Sequence, residues 1–199
     1  MKQKPRSTTA TRSENGKKKE SLLENFFLDQ VKDIYYAEQH LLKALDEMKA
    51  ACTTEELEDA FTHHRSQTER HVKRLERIFQ QMKLEPEGKK CEAIDGLIKE
   101  ARSIIKETKS GSMTRDAALI IAAQKVEHYE IATYGGLLQL AITLGKTRAA
   151  TLLDKTLQEE EDTDHLLTMI AENDINLEAE KEMQPKEEEL TPPIGAWSF

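Results

Sequence analysis

The stretch KVEHYEIATYGG, Lys125 to Gly136, lies inside a long run of helical periodicity and decides how the rest of the chain is read. An α-helix returns the same face every three to four residues, so Ile120, Ala123, Tyr134, Leu137 and Ala141 share one stripe. Glu127 and Glu130 fall on that stripe as well, where leucine or isoleucine belongs. Something in the interior must therefore make carboxylates acceptable.

Outward from this stretch, four long segments and one short one carry helix punctuation. The first starts at Ser21, with Glu24 in capping-box spacing, and runs to about Ala50. The second starts at TTEE, where Thr53 and Glu56 repeat that spacing, and fades near Lys83, ahead of Pro86 and Gly88. The short segment, CEAIDGLIKEARSIIKE (residues 91–107), keeps Ile94, Leu97, Ile98, Ala101 and Ile105 on one side. The third long segment follows SGSMT and ends at Gly145, and the fourth runs from Thr147 to about Glu172, before NDIN. Short turns within each pair and a long connection between the second and third predict an all-α fold. The connectivity is that of a ferritin-like four-helix bundle, with a crossover carrying the short extra helix.

Composition agrees with long amphipathic helices: of 199 residues, 38% are hydrophobic and 33% charged. The length suits one domain with tails. Residues 1–19 form a basic arm of net +6, residues 20–175 the bundle, and residues 176–199 an acidic tail of net −4. The whole chain carries −8, so the body repels nucleic acid and no specific nucleic-acid partner is expected. Neither tail has apolar periodicity, although PPIGAWSF at the end is apolar enough to dock. No run of eighteen apolar residues exists, so no membrane span is expected. Cys52 and Cys91 form no CxxC and read as ordinary thiols. With no apolar h-region near the start, this predicts a cytoplasmic protein.

The same stripe laid along the other helices repeats the anomaly. The first gives Phe27, Val31, Ile34, Glu38, Leu41, Leu45 and Met48. The second gives Leu57, Phe61, His64, Thr68, His71, Leu75, Ile78 and Met82. The fourth gives Leu153, Leu157, Glu160, Asp164, Leu167 and Ala171. Each is apolar at both ends and polar in the middle, and mid-helix positions of adjacent antiparallel helices meet at one level. Glu38, Glu127, Glu130, Glu160 and Asp164 therefore converge with His64 and His71, and Gln67 flanks them between the two histidines. Each unpaired buried carboxylate costs several kcal/mol even after relaxation. A pair of divalent cations compensates, and oxygen-rich ligands with one or two imidazoles suit iron or manganese better than structural zinc. The competing reading is a metal-free network in which protonated His64 and His71 pair with the glutamates.

The stretches DIYYAEQHLLKAL, AFTHHRSQTERHVKRLE, RDAALIIAAQKVEHYEIATYGGL and TLQEEEDTDHLLTMIA resemble the YciE/YciF-like family of bacterial stress-associated proteins, from about Leu22 to Asn173. The resemblance implies a ferritin-like bundle with a candidate di-iron site, a homodimer, and carboxylate ligands at Glu38, Glu127, Glu130, Glu160 and Asp164. The chain departs from the usual ferritin-like ligand pattern, because no Glu-x-x-His lies on a stripe. Gln67 stands where relatives carry Glu, and Asp162-x-x-His165 has the right letters on another face.

Among the other features, His128 lies off the stripe, and His40, His63 and His165 are expected in solvent. In the run EEED, Glu159 to Asp162, only Glu160 should point inward. Tyr35, Tyr36, Tyr129 and Tyr134 fall near one level, as core packing or as a hydrogen-bonded shell around the site. Gly135 and Gly136 cost about 1 kcal/mol each in a helix, so another helix, the crossover or a dimer partner is expected to approach closely there.

Two functions follow from these features. One is a di-iron or di-manganese protein acting on dioxygen or peroxide under stress, with an external electron donor because there is no rubredoxin-like cysteine set. The other is a non-enzymatic dimeric helical stress protein with a metal-free polar core.

Overall fold

The structure, a computed structural model, describes residues 21–183, and these fold as the expected all-α bundle. Four long helices form its body: α1 (Leu22–Ala51), α2 (Glu55–Gln81), α4 (Met113–Thr143) and α5 (Thr147–Ile170). Helix α3 (Glu92–Glu107) rides in the crossover between α2 and α4. In the body α1 packs on α2 and α4, and α5 packs on α2 and α4, closing a four-membered ring of helices. Helix α3 lies against α1 and α4 and buries Ile94, Ile98 and Ala101 there.

Local chemistry sets most boundaries. The Ser21 hydroxyl accepts the Glu24 backbone N–H at 3.1 Å, and the Ser112 hydroxyl does the same for Arg115 at 3.2 Å, each satisfying a donor that the first turn leaves free. Gly145 ends α4 at φ 67°, a left-handed conformation that lets the Lys146 N–H reach back to the Ala141 carbonyl at 2.8 Å. At Gly88 the crossover runs tight over α1: a Cβ there would sit 3.3 Å from the Tyr36 Cβ, and next to it the Lys89 N–H donates to the Lys32 carbonyl at 3.0 Å.

Several sequence expectations are corrected. Thr53 and Glu56 do not cap α2. Its N-cap is Thr54, whose side chain makes no local cap, and the fully buried Asp116 of α4 does the work from a distance. Its carboxylate accepts from Thr53 N (2.7 Å), Thr54 N (2.8 Å) and the Thr54 hydroxyl (2.7 Å). On α5 the buried stripe is Leu153, Thr156, Glu160, Thr163, Leu167, so Leu157 and Asp164 stand one residue away from the inward positions. Around Gly135 and Gly136 an added Cβ would meet nothing within 4 Å, so among the described residues neither the crossover nor another helix makes the close approach expected there.

The chain also stays helical past residue 175. After α5 a π-helical turn (Ala171–Ile175) leads into α6 (Asn176–Glu180), which packs on α4, and Glu182 accepts from Met113 N and Thr114 N at the start of α4. The basic arm expected over residues 1–19 and the PPIGAWSF end lie outside the described residues. No helix among the described residues is long and apolar enough to cross a membrane.

Candidate metal centre

The polar middles of the stripes meet inside the bundle. Glu38 comes from α1, His64 and His71 from α2, Glu127 and Glu130 from α4, and Glu160 from α5; every one is buried, at 2% exposure or less. Two turns of α2 put His64 and His71 on one face, and less than one turn of α4 does the same for Glu127 and Glu130. The six residues divide into two groups. His64, Glu127, Glu130 and Glu160 can each offer one ligand atom within 4.8 Å of the others, and so can Glu38, His71 and Glu160. Glu160 belongs to both, so the arrangement is two adjacent positions joined by one carboxylate.

The distances are those of a ring of charges. His64 Nε2 lies 3.2 Å from Glu127 Oε1 and its Nδ1 3.9 Å from Glu160 Oε2. His71 Nδ1 lies 2.9 Å from Glu160 Oε1 and 3.4 Å from Glu38 Oε1. Among the described residues Glu130 finds no ion-pair partner, and neither of its buried oxygens has a hydrogen-bond partner. The second oxygens of Glu38 and Glu127, both oxygens of Glu160, both nitrogens of His64 and Nδ1 of His71 also lack a hydrogen bond of acceptable geometry. A low-polarity interior normally leaves few such atoms.

Electrostatics in the metal-free protein follow from this crowding. Burial, reinforced by Glu38, Glu160 and Glu127, pushes the Glu130 carboxyl well above the usual carboxylate range. Burial also raises Glu38 and Glu160, with His71 opposing it. The imidazoles move the other way from what burial alone would do: Glu127, then Glu160, pushes His64 up to about 9, and Glu38, Glu159 and Glu160 push His71 up to about 12. Without a cation, then, two imidazolium ions serve as internal counter-charges and Glu130 keeps its proton.

The donor set fits a pair of divalent cations. Four carboxylates with two neutral imidazoles carry the charge that two divalent ions cancel, and the atoms without hydrogen bonds are the ones a cation would engage.

Two of the expected site residues stand apart from the two groups. Gln67 is buried between the histidines of α2, and its Oε1 accepts from the Thr163 hydroxyl at 3.3 Å. Asp164 is half-buried beside His128, whose Nε2 lies 3.4 Å from its Oδ1. His128, His40, His63 and His165 are exposed.

Sequence reasoning also missed contacts around the centre. Glu159, expected in solvent with the rest of EEED, is only 19% exposed at its side chain and meets His71 Nε2 at 2.9 Å. Arg74, three residues after His71 on α2, is buried against Glu159, and the i,i+3 spacing that puts Arg74 on the same face as His71 was the available signal. Of the four tyrosines, Tyr134 alone touches the centre, donating to Glu38 Oε1. Tyr35 donates to Glu76, Tyr36 to Asp95, and Tyr129 to Asp33 beside the Cys91 sulfur.

Comparison with known proteins places the chain in a family. A family model described as a domain of unknown function, DUF892, matches residues 22–180. Protein YciF of Escherichia coli (strain K12) is 43% identical over 159 residues, 79% of this chain and 95% of that protein. Among solved structures, the E. coli stress protein YciF superposes with a TM-score of 0.75 at 42% identity, over 79% of this chain and 99% of that one. YcfI from Rhodopseudomonas palustris superposes with a TM-score of 0.72 at 37% identity, over 77% of this chain and 97% of that one.

Proposed function

The chain belongs to the DUF892 family of YciF-like proteins, and on that premise we propose that it binds two iron or manganese ions in the bundle core and uses them on dioxygen or peroxide under stress. The observation that carries this reading is Glu130, a fully buried carboxylate with no hydrogen bond to either oxygen. Natural interiors do not keep such a group unless something compensates it.

His64, Glu127 and Glu130 would hold one ion and Glu38 and His71 the other, with Glu160 within reach of both. When bound, such a pair would supply two adjacent redox-active ions for chemistry on dioxygen or peroxide. Apolar residues surround the centre: Ile34, Leu41, Leu75, Val126, Leu137 and Leu167 are buried on the same four helices. Tyr134 steadies Glu38 through its hydroxyl. The relative described as a stress protein supports the stress setting.

The test is elemental analysis of chelator-stripped protein reloaded anaerobically with ferrous iron, and separately with manganese. Two ions per chain are expected, and uptake below about one equivalent of both metals overturns the reading.

One observation favours a second reading, a dimeric helical stress protein that works without metal. His64 and His71 already pair with Glu127, Glu38 and Glu160, so a charged network can hold most of the core on its own. It leaves Glu130 uncompensated, which is why we place it second.

A further inference from the structure

The two histidines of the centre are not held alike. His71 is held from outside the centre at one nitrogen: Nε2 meets Glu159 Oε2 at 2.9 Å, while Nδ1 faces Glu160 at 2.9 Å and Glu38 at 3.4 Å without a hydrogen bond of acceptable geometry. Glu159 is itself fixed, because Arg74 takes both its oxygens, Nη2 to Oε1 at 2.7 Å and Nη1 to Oε2 at 2.8 Å. Arg74 is buried and steadied in turn by the Thr156 hydroxyl at 3.0 Å. A carboxylate paired with a guanidinium only accepts hydrogen bonds, so the ring nitrogen facing it carries hydrogen. In a neutral imidazole this leaves the Nδ1 lone pair aimed at Glu38 and Glu160.

His64 has no such outer support. Its Nε2 faces Glu127 and its Nδ1 faces Glu160, both of them residues of the centre, and neither nitrogen makes a hydrogen bond. Among the described residues, none outside the centre sets its tautomer.

From this contrast we infer that Glu159, locked by Arg74, is a positioning residue that presents His71 Nδ1 to the centre and makes the two metal positions unequal, the Glu38–His71–Glu160 position binding the more tightly. The inference rests on the metal-binding reading above and goes beyond it by ranking the positions. Filling the His71 position requires no ring rotation, whereas filling the His64 position requires the imidazole to choose an orientation and a tautomer. Loss of an outer carboxylate behind a ligating histidine weakens metal binding by roughly 10–100-fold.

The experiment titrates chelator-stripped full-length protein with cobalt(II), reading the visible spectrum, and records ¹⁵N spectra of the zinc-loaded protein to see which His71 nitrogen bears hydrogen. Wild type should bind in two steps of unequal affinity with hydrogen on His71 Nε2. Glu159→Ala should weaken the tighter step by roughly 10–100-fold, with the weaker step held within about twofold. Glu159→Gln, which keeps an acceptor oxygen at the same reach and guards against misfolding around a stranded Arg74, should recover much of the loss. A wild type that binds two ions with equal affinity, or a Glu159→Ala protein that weakens both steps alike or neither, overturns this inference alone. A wild type that binds no metal overturns the metal-binding reading and this inference together.

Discussion

The phenol of Tyr134 on α4 donates a hydrogen bond to Oε1 of Glu38 on α1, with both side chains fully buried. The Tyr134 ring also meets His71 edge-on, centroids 6.4 Å apart, so one residue braces two members of the centre. Tyr134→Phe keeps the ring and strands the carboxylate oxygen, a loss of about 1–3 kcal/mol. In chelator the variant should melt lower than wild type. With metal bound, a cation engages that carboxylate and the deficit should shrink. Thermal melts with and without metal check this, and an equal deficit in both conditions would argue that Glu38 is not a ligand.

Glu130→Leu tests what the buried carboxylate is for. The structure pairs both histidines with other glutamates, so removing Glu130 strands no imidazole, and a leucine would continue the apolar stripe from Ala123 to Leu137. Burying that side chain contributes about 1.5–3 kcal/mol. Compared in chelator, the variant should melt higher than wild type, and it should bind less metal. A lower melting temperature together with a metal-free wild type would support the polar-network reading.

The pH dependence of the metal-free protein follows from the raised imidazoles. His64 moves from 6.5 unfolded to about 9 folded, and His71 to about 12, so the folded state binds more protons than the unfolded one above pH 6.5. Their stabilisation is fully present below pH 6.5 and is lost as pH climbs through about 9 for His64. Glu130 adds the same sign, since its folded value is also raised. The melting temperature in chelator should therefore fall between pH 7 and 10. Metal displaces these protons and binds more tightly as pH rises, so the loaded protein should show a shallower decline. A chelated protein that grows more stable from pH 7 to 10 would refute the charged imidazoles.

Asp116→Ala should destabilise the fold with the centre untouched. The carboxylate satisfies three donors at the start of α2, and losing it leaves them short of acceptors at a cost of about 1–3 kcal/mol. For a domain of this size that is roughly 3–10 °C in melting temperature. Metal stoichiometry, measured on the same samples, should stay at the wild-type value.

Truncations separate the two ends. Deleting residues 1–19 removes a segment with no apolar stripe, and the melting temperature should stay within about 1 °C. Cutting after Ile175 removes α6, which packs on α4, and Glu182, which accepts from Met113 N, Thr114 N and the Thr114 hydroxyl. That truncation should melt measurably lower, and equal melting of the two truncated proteins would show that Glu182 contributes nothing in solution.

The sequence alone determined the helices, their connectivity and six of the residues that meet in the core, because helical periodicity reports which face of a helix each residue occupies. Glu38, His64, His71, Glu127, Glu130 and Glu160 stood out as polar interruptions of stripes that are otherwise apolar. Periodicity resolves a face to within about one residue, and there it failed. On α5 the choice between Thr156 and Leu157, and between Thr163 and Asp164, turned on how the helix is rotated against α2 and α4. Hydrophobicity favoured Leu157, whereas the buried threonines satisfy their hydroxyls on the carbonyls of Leu152 and Glu159. That same rotation put Asp164 beside His128 and brought Glu159 in to His71 and Arg74. The sharing of Glu160 by two groups of candidate ligands and the capping of α2 by Asp116, sixty-two residues from Thr54, were likewise decided only in the tertiary structure. Contacts between helices depend on their relative rotation and depth, and no single helix encodes either.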